Sequence, residues 1–568
     1  MTESFSHFAP AIPLFVGALL LLVTTGKLRA AIMLLAPLAG LLNLLMMPSE
    51  YSTTYVIMGL ELHPTRIDRL SILFGYLFHI AAFIGALYAL HVKDKVQDVA
   101  ALAYAASAVG AVFSGDLLTL FIYWELLAVT SVLLIFARRT DESRTAASRY
   151  LVIQITSGVL LLGGAIIYAC AGNSLEFNHI GLDAPGGWLL FIAFGIKSAF
   201  PMLHNWLTDA YPEATVTGTV FLTAFTTKVA IYALARGFAG TELLVYIGAM
   251  MACFPIFYAV IENDLRRVLA YSLINQLGFM VVGIGIGTEL AINGAVAHAF
   301  NDVLFKGLLM MSMGAVLHVT GEMRGSELGG LYKKMPKTAV LCMIGAASIS
   351  AFPLFSGFVS KSMIVSAVLL EGYSPIWLAL LFASAGVFHH AGIKIPFFAF
   401  FYKPCKHVET AHEPPSNMLL AMTIAALFCV GIGCFPQQLY SLLPYQIEYS
   451  AYDVSHVLAQ LQLLAFSALA FTWLKLAHIY PPELKSTNLD AEWLYRRLLP
   501  DFVFKVGGMI SCIDQHIRSR ISKIIMHLLD LLSQHHGSHG ILARTWPTGS
   551  MVLWVAILLG LTLTLYYF

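Results

Sequence analysis

The stretch LLFIAFGIKSAFPMLHNWLTDA, Leu189–Ala210, decides the fold. It is apolar enough to cross a bilayer, yet it holds Lys197 near its middle and Pro201 four residues later. An ionisable residue at mid-span costs about 2.5–3.5 kcal/mol on insertion scales, so it is a functional candidate by default. A proline removes the helix hydrogen bond to the carbonyl four residues earlier, here that of Lys197. The freed oxygen must be met by water or a polar side chain, which a membrane tolerates only inside protein or along a wet cavity. Lysine and backbone acceptor therefore share one depth, which favours a conducting site over simple packing.

The rest of the chain has the same character. Of 568 residues, 58% are hydrophobic and 11% charged, where a soluble domain carries about 25% charged residues. Mean hydropathy is +0.78. Apolar runs of about 20 residues, the length that crosses a bilayer, recur often enough for about 14 to 16 spans. They are too continuously apolar for a barrel, whose strands alternate at period two. The reading is an all-α polytopic membrane protein. A net charge of +1 gives no acidic or basic bias toward nucleic acid. The cysteines at 170, 253, 342, 405, 429, 434 and 512 form no CxxC pair and read as membrane-buried thiols, not as zinc or iron–sulfur ligands. The apolar run from Ala9 lacks a basic leader and a small-residue cleavage site, so it reads as a retained helix.

Loop charges suggest an orientation. One set of alternate loops holds Lys27, Arg29, Lys93, Lys95, Arg138, Arg139, Arg144, Arg149, Arg266, Arg267, Arg324, Lys333, Lys334 and Lys337; the other holds little beyond Arg66, Arg69 and Arg236. The positive-inside rule puts the first set in the cytoplasm and the N-terminus outside. Beyond Tyr480 the chain turns polar, and from Ile510 to Leu531 apolar residues recur in steps of three and four with Arg518, Arg520 and Lys523 among them. That is an amphipathic helix, lying at the bilayer interface or packed on the protein as a connector. A last apolar run follows.

Charges inside the spans form a series. Glu125 lies in LLTLFIYWELLAVTSVLLIF, Lys228 in FLTAFTTKVAIYALA, Lys361 in FSGFVSKSM and Lys394 in FHHAGIKIPFFAFF. Asp302 and Lys306 in AHAFNDVLFKGLLMM are four residues apart, on one helix face. A single lysine near a helix end can snorkel, and Lys361 is open to that reading. The whole series reads as a hydrated polar file, in which burial and neighbouring carboxylates switch lysines between charged and neutral. His204, His298, His389 and His390 are candidate relays or hydrogen-bonded packing histidines. SAFPM at 198–202 recurs as SAFPL at 350–354, so Pro353 marks a second break, a pointer to a repeat-built transporter.

These motifs resemble the antiporter-like, proton-conducting membrane subunits shared by Mrp-type multisubunit Na⁺/H⁺ antiporters and respiratory complex I. The resemblance runs from about residue 60 to 405 and rests on RIDRLSILF, GDLLTLFIYWELLAVTS, GIKSAFPMLHNWLTDAYPEA, LTAFTTKVAIYALAR, ENDLRRVLAYSLINQLGFM and FPLFSGFVSKSMI. Asp302 before Lys306, and lysine at 394, resemble the MrpD-type member of the antiporter. Ala214 and Thr215 stand where the family has a proline-rich turn, which predicts a less rigid loop. The resemblance implies two inverted five-helix repeats, each with a broken helix, and a layout of N-terminal helices (1–97), a translocating core (98–405), further core helices (406–480), a polar linker with the amphipathic helix (481–549) and a final span (550–568).

It also implies a proton-translocating subunit of a cation/proton antiporter in the bacterial inner membrane. Glu125, paired with Lys197, modulates that lysine, which passes its proton to Lys228; Asp302, Lys306 and Lys394 carry it on. His204, His298, Lys361 and His389 are the candidate relays of this path. Expected partners are other subunits of the assembly, with protons and Na⁺ as cargo and no cofactor, metal or nucleic acid. No GxGxxG fingerprint follows a strand, so any electron transfer belongs to partners. The alternatives are a pumping subunit of complex I or a membrane hydrogenase, a coupling subunit of another ion-uptake complex, and a scaffold without transport.

Overall fold

The computed structural model describes residues 8–57, 59–404, 406–485 and 488–568. Helices α1 (Ile12–Val23) and α2 (Gly26–Met46) lead into a hairpin of β1 (Tyr51–Ile57) and β2 (Leu60–Ile67). Then come α3 (Arg69–Ala89), α4 (Lys95–Phe113), α5 (Leu117–Phe136) and α6 (Asp141–Cys170). A broken helix, α7 (Gly187–Lys197) and α8 (Asn205–Ala210), is followed by α9 (Gly218–Ala224), α10 (Thr226–Gly237), α11 (Glu242–Ile261), α12 (Leu265–Ile286) and α13 (Glu289–Thr320). A second break separates α14 (Pro336–Ile349) from α15 (Ser356–Leu370). Helix α16 (Ser374–Val387) continues through π-helical turns at Phe388–Lys394 and Phe397–Phe401, and α17 (Ser416–Cys434), α18 (Pro436–Tyr440) and α19 (Val454–Leu476) close a compact unit ending at Asn488.

Leu489–Phe568 form a second unit, with α20 (Leu499–His536) and α21 (Thr548–Tyr567). No residue of either helix is buried. Helix α20 extends past the expected 510–531 amphipathic stretch at both ends, and α21 is the expected last span.

Among the described residues, 13 helices are long and apolar enough to cross a membrane, counting α9–α10 as one. Four shorter apolar helices, α1, α7, α14 and α15, complete the set. The chain is a multi-pass helical membrane protein, and the breaks account for the shorter pieces within 187–208 and 338–371. Acidic caps start several helices. Asp116 accepts the Thr119 amide at 2.7 Å, and Asp264 accepts the amides of Arg266 and Arg267 at 2.8 and 3.0 Å, satisfying donors that a helix start leaves open.

The structure departs from the sequence reading in four places. The hairpin β1–β2 adds strands to an otherwise helical chain: β-branched and aromatic residues at Thr53–Val56 favour it, and its antiparallel register sets Tyr51 against Ile67. Arg66 and Ile67 of RIDRLSILF thus end β2, and Asp68 caps α3 through the Ser71 amide at 2.9 Å. Arg29 and Arg266, counted as loop charges, are buried in helical first turns. Arg29 is ion-paired to Asp98, with an Nη2–Oδ1 distance of 2.7 Å, and Arg266 donates to the Ala214 carbonyl at 3.1 Å. Their charge is met inside the protein, not by the aqueous loops. The 214–215 turn is tied as well as clamped, since Thr215 donates to Gln97 at 2.7 Å and accepts from the Gly218 amide at 2.9 Å. Of the cysteines, Cys342 and Cys429 are buried and Cys253 is half-buried, but Cys170, Cys434 and Cys512 are exposed on outward helix faces; Cys405 lies outside the described residues.

Candidate functional site

The two SAFP segments adopt the same backbone. Ala199 and Ala351 have φ of 62° and 57°, and Met202 and Leu354 have 66° and 73°. Phe200 donates to the Gly195 carbonyl at 3.0 Å, and Phe352 donates to Ala347 at 3.0 Å. Each left-handed alanine ends its helix without glycine, a conformation that costs an L-residue roughly 1–2 kcal/mol. In the first break Trp206 Nε1 donates to the Ile196 carbonyl at 2.8 Å, so a side chain meets an oxygen at the broken helix end.

Lys197 is the last residue of α7 and is fully buried. Its ammonium donates to the Trp124 carbonyl at 2.6 Å and lies 4.5 Å from the centre of that indole ring. Trp124 is itself fixed: Nε1 donates to Ser157 at 2.9 Å, and Ser157 donates to the Ala193 carbonyl at 2.7 Å. Glu125 follows Trp124 on α5, and its Oε1 is buried without a hydrogen-bond partner. Gly158 makes the room, because a Cβ at that position would overlap the carboxylate. Glu125 and Lys197 are close enough for their charges to interact. The expected pair is therefore looser than a contact ion pair: the ammonium takes a neutral carbonyl and leaves the carboxylate oxygen open.

At the centre of the buried file, Lys228 Nζ and Asp302 Oδ2 form an ion pair of 2.5 Å with neither side chain exposed. The expected face-sharing of Asp302 and Lys306 on α13 leads to different partners. Asp302 reaches across to α10, while Lys306 donates to Ser272 on α12 at 2.8 Å. One turn before Asp302, His298 shares hydrogen bonds with Ser360 (3.0 Å) and Gln276 (3.1 Å). Asn301 donates to Ser360 at 3.1 Å and to the Ser356 carbonyl at 2.8 Å, and Gln276 donates to Asn275 at 2.6 Å. A polar network thus joins α12, α13 and α15.

Lys361 does not snorkel. It is 3% exposed and donates inward to the Ile349 carbonyl at 3.0 Å, with Phe279 4.9 Å below the ammonium. Ile349 is the counterpart of Lys197 in the second break, so a lysine returns to the corresponding depth from α15. Lys394, in a π-helical turn, donates to the carbonyls of Val260 (2.7 Å) and Glu262 (2.6 Å) at the C-terminal end of α11. Glu483 from the polar linker meets it at 3.0 Å. A cation at the negative end of a helix is favourable. Burial pushes the Glu483 carboxyl above its ordinary range, with Lys394 opposing.

The remaining histidines sit among aromatic rings. His389 stacks on Tyr480 (5.5 Å, 22°), and His204, just before α8, lies 4.7 Å from Phe254. His390 is buried. Of the candidate relays, His298 is part of the central network, Lys361 is held at the second break, and His389 lies in the same π-helical turn as Lys394. Sequence reasoning missed Gln276, Ser272, Ser360, Asn301 and Glu483. The first four are ordinary neutral residues in apolar helices, and Glu483 lies in a segment read as loop; only tertiary packing gives them a role.

Residues 114–389 match the profile of the NADH:quinone oxidoreductase/Mrp antiporter transmembrane family. That stretch is similar to the family, and it holds both Lys197 and the second helix break. Among its relatives, hydrogenase-4 component B of Escherichia coli is 27% identical over 65% of this chain and 62% of that protein. The A-type Na(+)/H(+) antiporter subunit of Alkalihalophilus pseudofirmus is 30% identical over 65% of this chain and 52% of its own. The L-type F(420)H(2) dehydrogenase subunit of Methanosarcina mazei is 30% identical over 63% and 60%. The chain thus spans between about half and three-fifths of these relatives. The antiporter relative is of the A type, so the expected nearness to MrpD is less exact than the family likeness. In fold, the chain is similar to a component of the Mrp complex from Dietzia (TM-score 0.78, 23% identity, 92% of this chain and 62% of that one). It is also similar to a component of an archaeal membrane-bound sulfane sulfur reductase (TM-score 0.71, 22% identity, 98% and 99%).

Proposed function

We propose that this chain moves protons across a bacterial inner membrane as one subunit of a multisubunit cation/proton antiporter. The observation that carries the reading is the fully buried Lys228–Asp302 pair, set among Glu125, Lys197, Lys306 and Lys394 in a chain similar to the antiporter family. Buried charges cost several kcal/mol each unless they are paired or hydrated, so a chain that keeps this many of them has a use for them. Protons pass from the Glu125–Lys197 end through Lys228 and Asp302 to Lys306, and on to Lys394 and Glu483. His298, Lys361, His204 and His389 are the candidate relays. The matching backbones of the two breaks support two related halves, which the family resemblance takes as inverted repeats within 98–405. The N-terminus faces outward, and the chain itself is a transporter subunit without catalytic chemistry.

A second reading is the membrane subunit of a redox-driven pump, favoured by the likeness to hydrogenase-4 component B and to the F(420)H(2) dehydrogenase relative. Copurifying subunits separate the two: small antiporter subunits support the first and iron–sulfur proteins the second. Both require proton flux through the chain. Lys306→Ala in the assembled complex should abolish flux in vesicles, and full flux in that variant would contradict both.

A further inference from the structure

Four oxygens close around the Lys394 ammonium. The carbonyls of Val260 and Glu262 accept from Nζ at 2.7 and 2.6 Å, the Ala259 carbonyl lies at 3.3 Å, and Glu483 Oε1 stands at 3.0 Å. The lysine side chain is fully buried and that of Glu483 is 6% exposed. A helix end leaves its last carbonyls without amides, and here the chain keeps them so. The Asn263 and Asp264 amides, which would have met the Ala259 and Val260 carbonyls had α11 continued, turn instead to Glu262 Oε1 at 3.0 and 3.1 Å. Glu262 Oε2 accepts from Asn488 at 3.0 Å, which fixes the carboxylate in that role.

An ammonium brings three N–H bonds to these four oxygens, whereas a spherical cation meets all of them alike. The spacings exceed the roughly 2.0–2.1 Å that Mg²⁺ demands, and most exceed the roughly 2.3–2.6 Å of Ca²⁺. The charged and titratable groups facing the cage are Glu262 and Glu483, Lys475 from α19, and His389 and His390 on the same π-helical turn. Two carboxylates thus face two lysines. Without the Lys394 ammonium, one negative charge and the negative end of α11 stand uncovered. One monovalent cation restores the balance, and a divalent ion overshoots it. Helix-end carbonyls are also a means by which transporters coordinate Na⁺. We propose that these four oxygens form a binding site for a monovalent alkali cation, Na⁺ or K⁺, with the cation and the Lys394 ammonium as alternative occupants. The site deepens the antiport reading by giving it a place where one ion excludes the other. It rests on that reading for its role in transport, and not for binding.

The test uses the full complex, purified in choline chloride, with Lys394→Met removing the ammonium and keeping the chain's length. Thermal unfolding is followed as NaCl, KCl, MgCl₂ or further choline chloride is added. Na⁺ or K⁺ should raise the melting temperature saturably, because a ligand of the folded state stabilises it by mass action. The half-effect concentration should be at least about tenfold lower than in the unsubstituted complex, where the ammonium holds the cage. Adding Glu483→Gln to Lys394→Met should abolish the response. The alkali cation that acts at the lower concentration is the one the site selects. An equal response to MgCl₂ and choline would mark a general salt effect and overturn the proposal. A Lys394→Met complex that assembles but answers to neither alkali cation overturns it too, since the lysine is then only a cap on α11. Where Lys394→Met does not assemble, Glu483→Gln alone carries the test. The cation concentration for half-maximal antiport should then rise at least about tenfold, and an unchanged value overturns the site. A saturable cation response in a complex without antiport would uphold the site and remove the transport reading.

Discussion

Lys228 on α10 and Asp302 on α13 meet at 2.5 Å with both side chains fully buried. Each charge is tolerable because of the other, so removing one strands its partner. Asp302→Asn or Lys228→Met should each destabilise the protein by about 3–5 kcal/mol, whereas the double substitution should recover most of that loss. Thermal unfolding of the purified complex measures the cycle. The double variant should fold and yet conduct no protons, which separates the pair's structural role from its transport role.

Gly158 gives Glu125 its position. Glycine to alanine inside a helix ordinarily gains about 1 kcal/mol, but here the added carbon would overlap the Glu125 carboxylate. Gly158→Ala should lower proton flux between about ten- and a hundredfold by displacing that group. Assembly, read by copurification of the complex, should survive. Unchanged flux would show that the carboxylate's position does not matter.

The left-handed alanines at the breaks make opposite predictions for two substitutions. Ala199→Gly and Ala351→Gly relieve an unfavourable φ and should be neutral or stabilising by about 1 kcal/mol. Ala199→Val should be strongly destabilising, because a β-branched side chain fits a positive φ poorly. Melting temperatures of the three variants check this.

An acid-side dependence follows from Asp68, which caps α3 before its apolar span begins. Burial pushes its carboxyl up, but the Arg236 charge, the Ser71 amide and Arg66 outweigh burial and hold it below its ordinary value of 3.8. Arg236 Nη2 donates to both carboxylate oxygens, at 2.8 and 2.7 Å. A depressed carboxyl contributes stability that is fully present above its unfolded value and lost as pH falls through the folded one. Stability should therefore drop below about pH 4. Asp68→Asn should be less stable at neutral pH and should show a shallower loss over that acid range, measured by unfolding across pH.

Much of this was legible in the sequence, for physical reasons that also mark where legibility ends. Hydropathy located the spans because a bilayer demands continuous apolar length. SAFP located both breaks because proline and a short apolar motif dictate local backbone. The buried charges were visible because they violate the local pattern. Their partners were not: Lys306 on Ser272 and Lys394 on Glu483 join residues far apart in the chain, and Lys361 folds back across the second break to Ile349. Arg29 and Arg266 read as loop charges because nothing local reveals Asp98 or the 214–215 turn across from them. The hairpin was hidden because its strands fall between two strong helical signals.

The most direct measurement is proton flux through reconstituted vesicles holding the complete complex with Lys197→Ala. Lys197 ends the first broken helix, beside the buried oxygen of Glu125, and its ammonium is held by the Trp124 carbonyl. Loss of flux with the complex still assembled is the predicted result. Full proton flux in that variant would contradict the account.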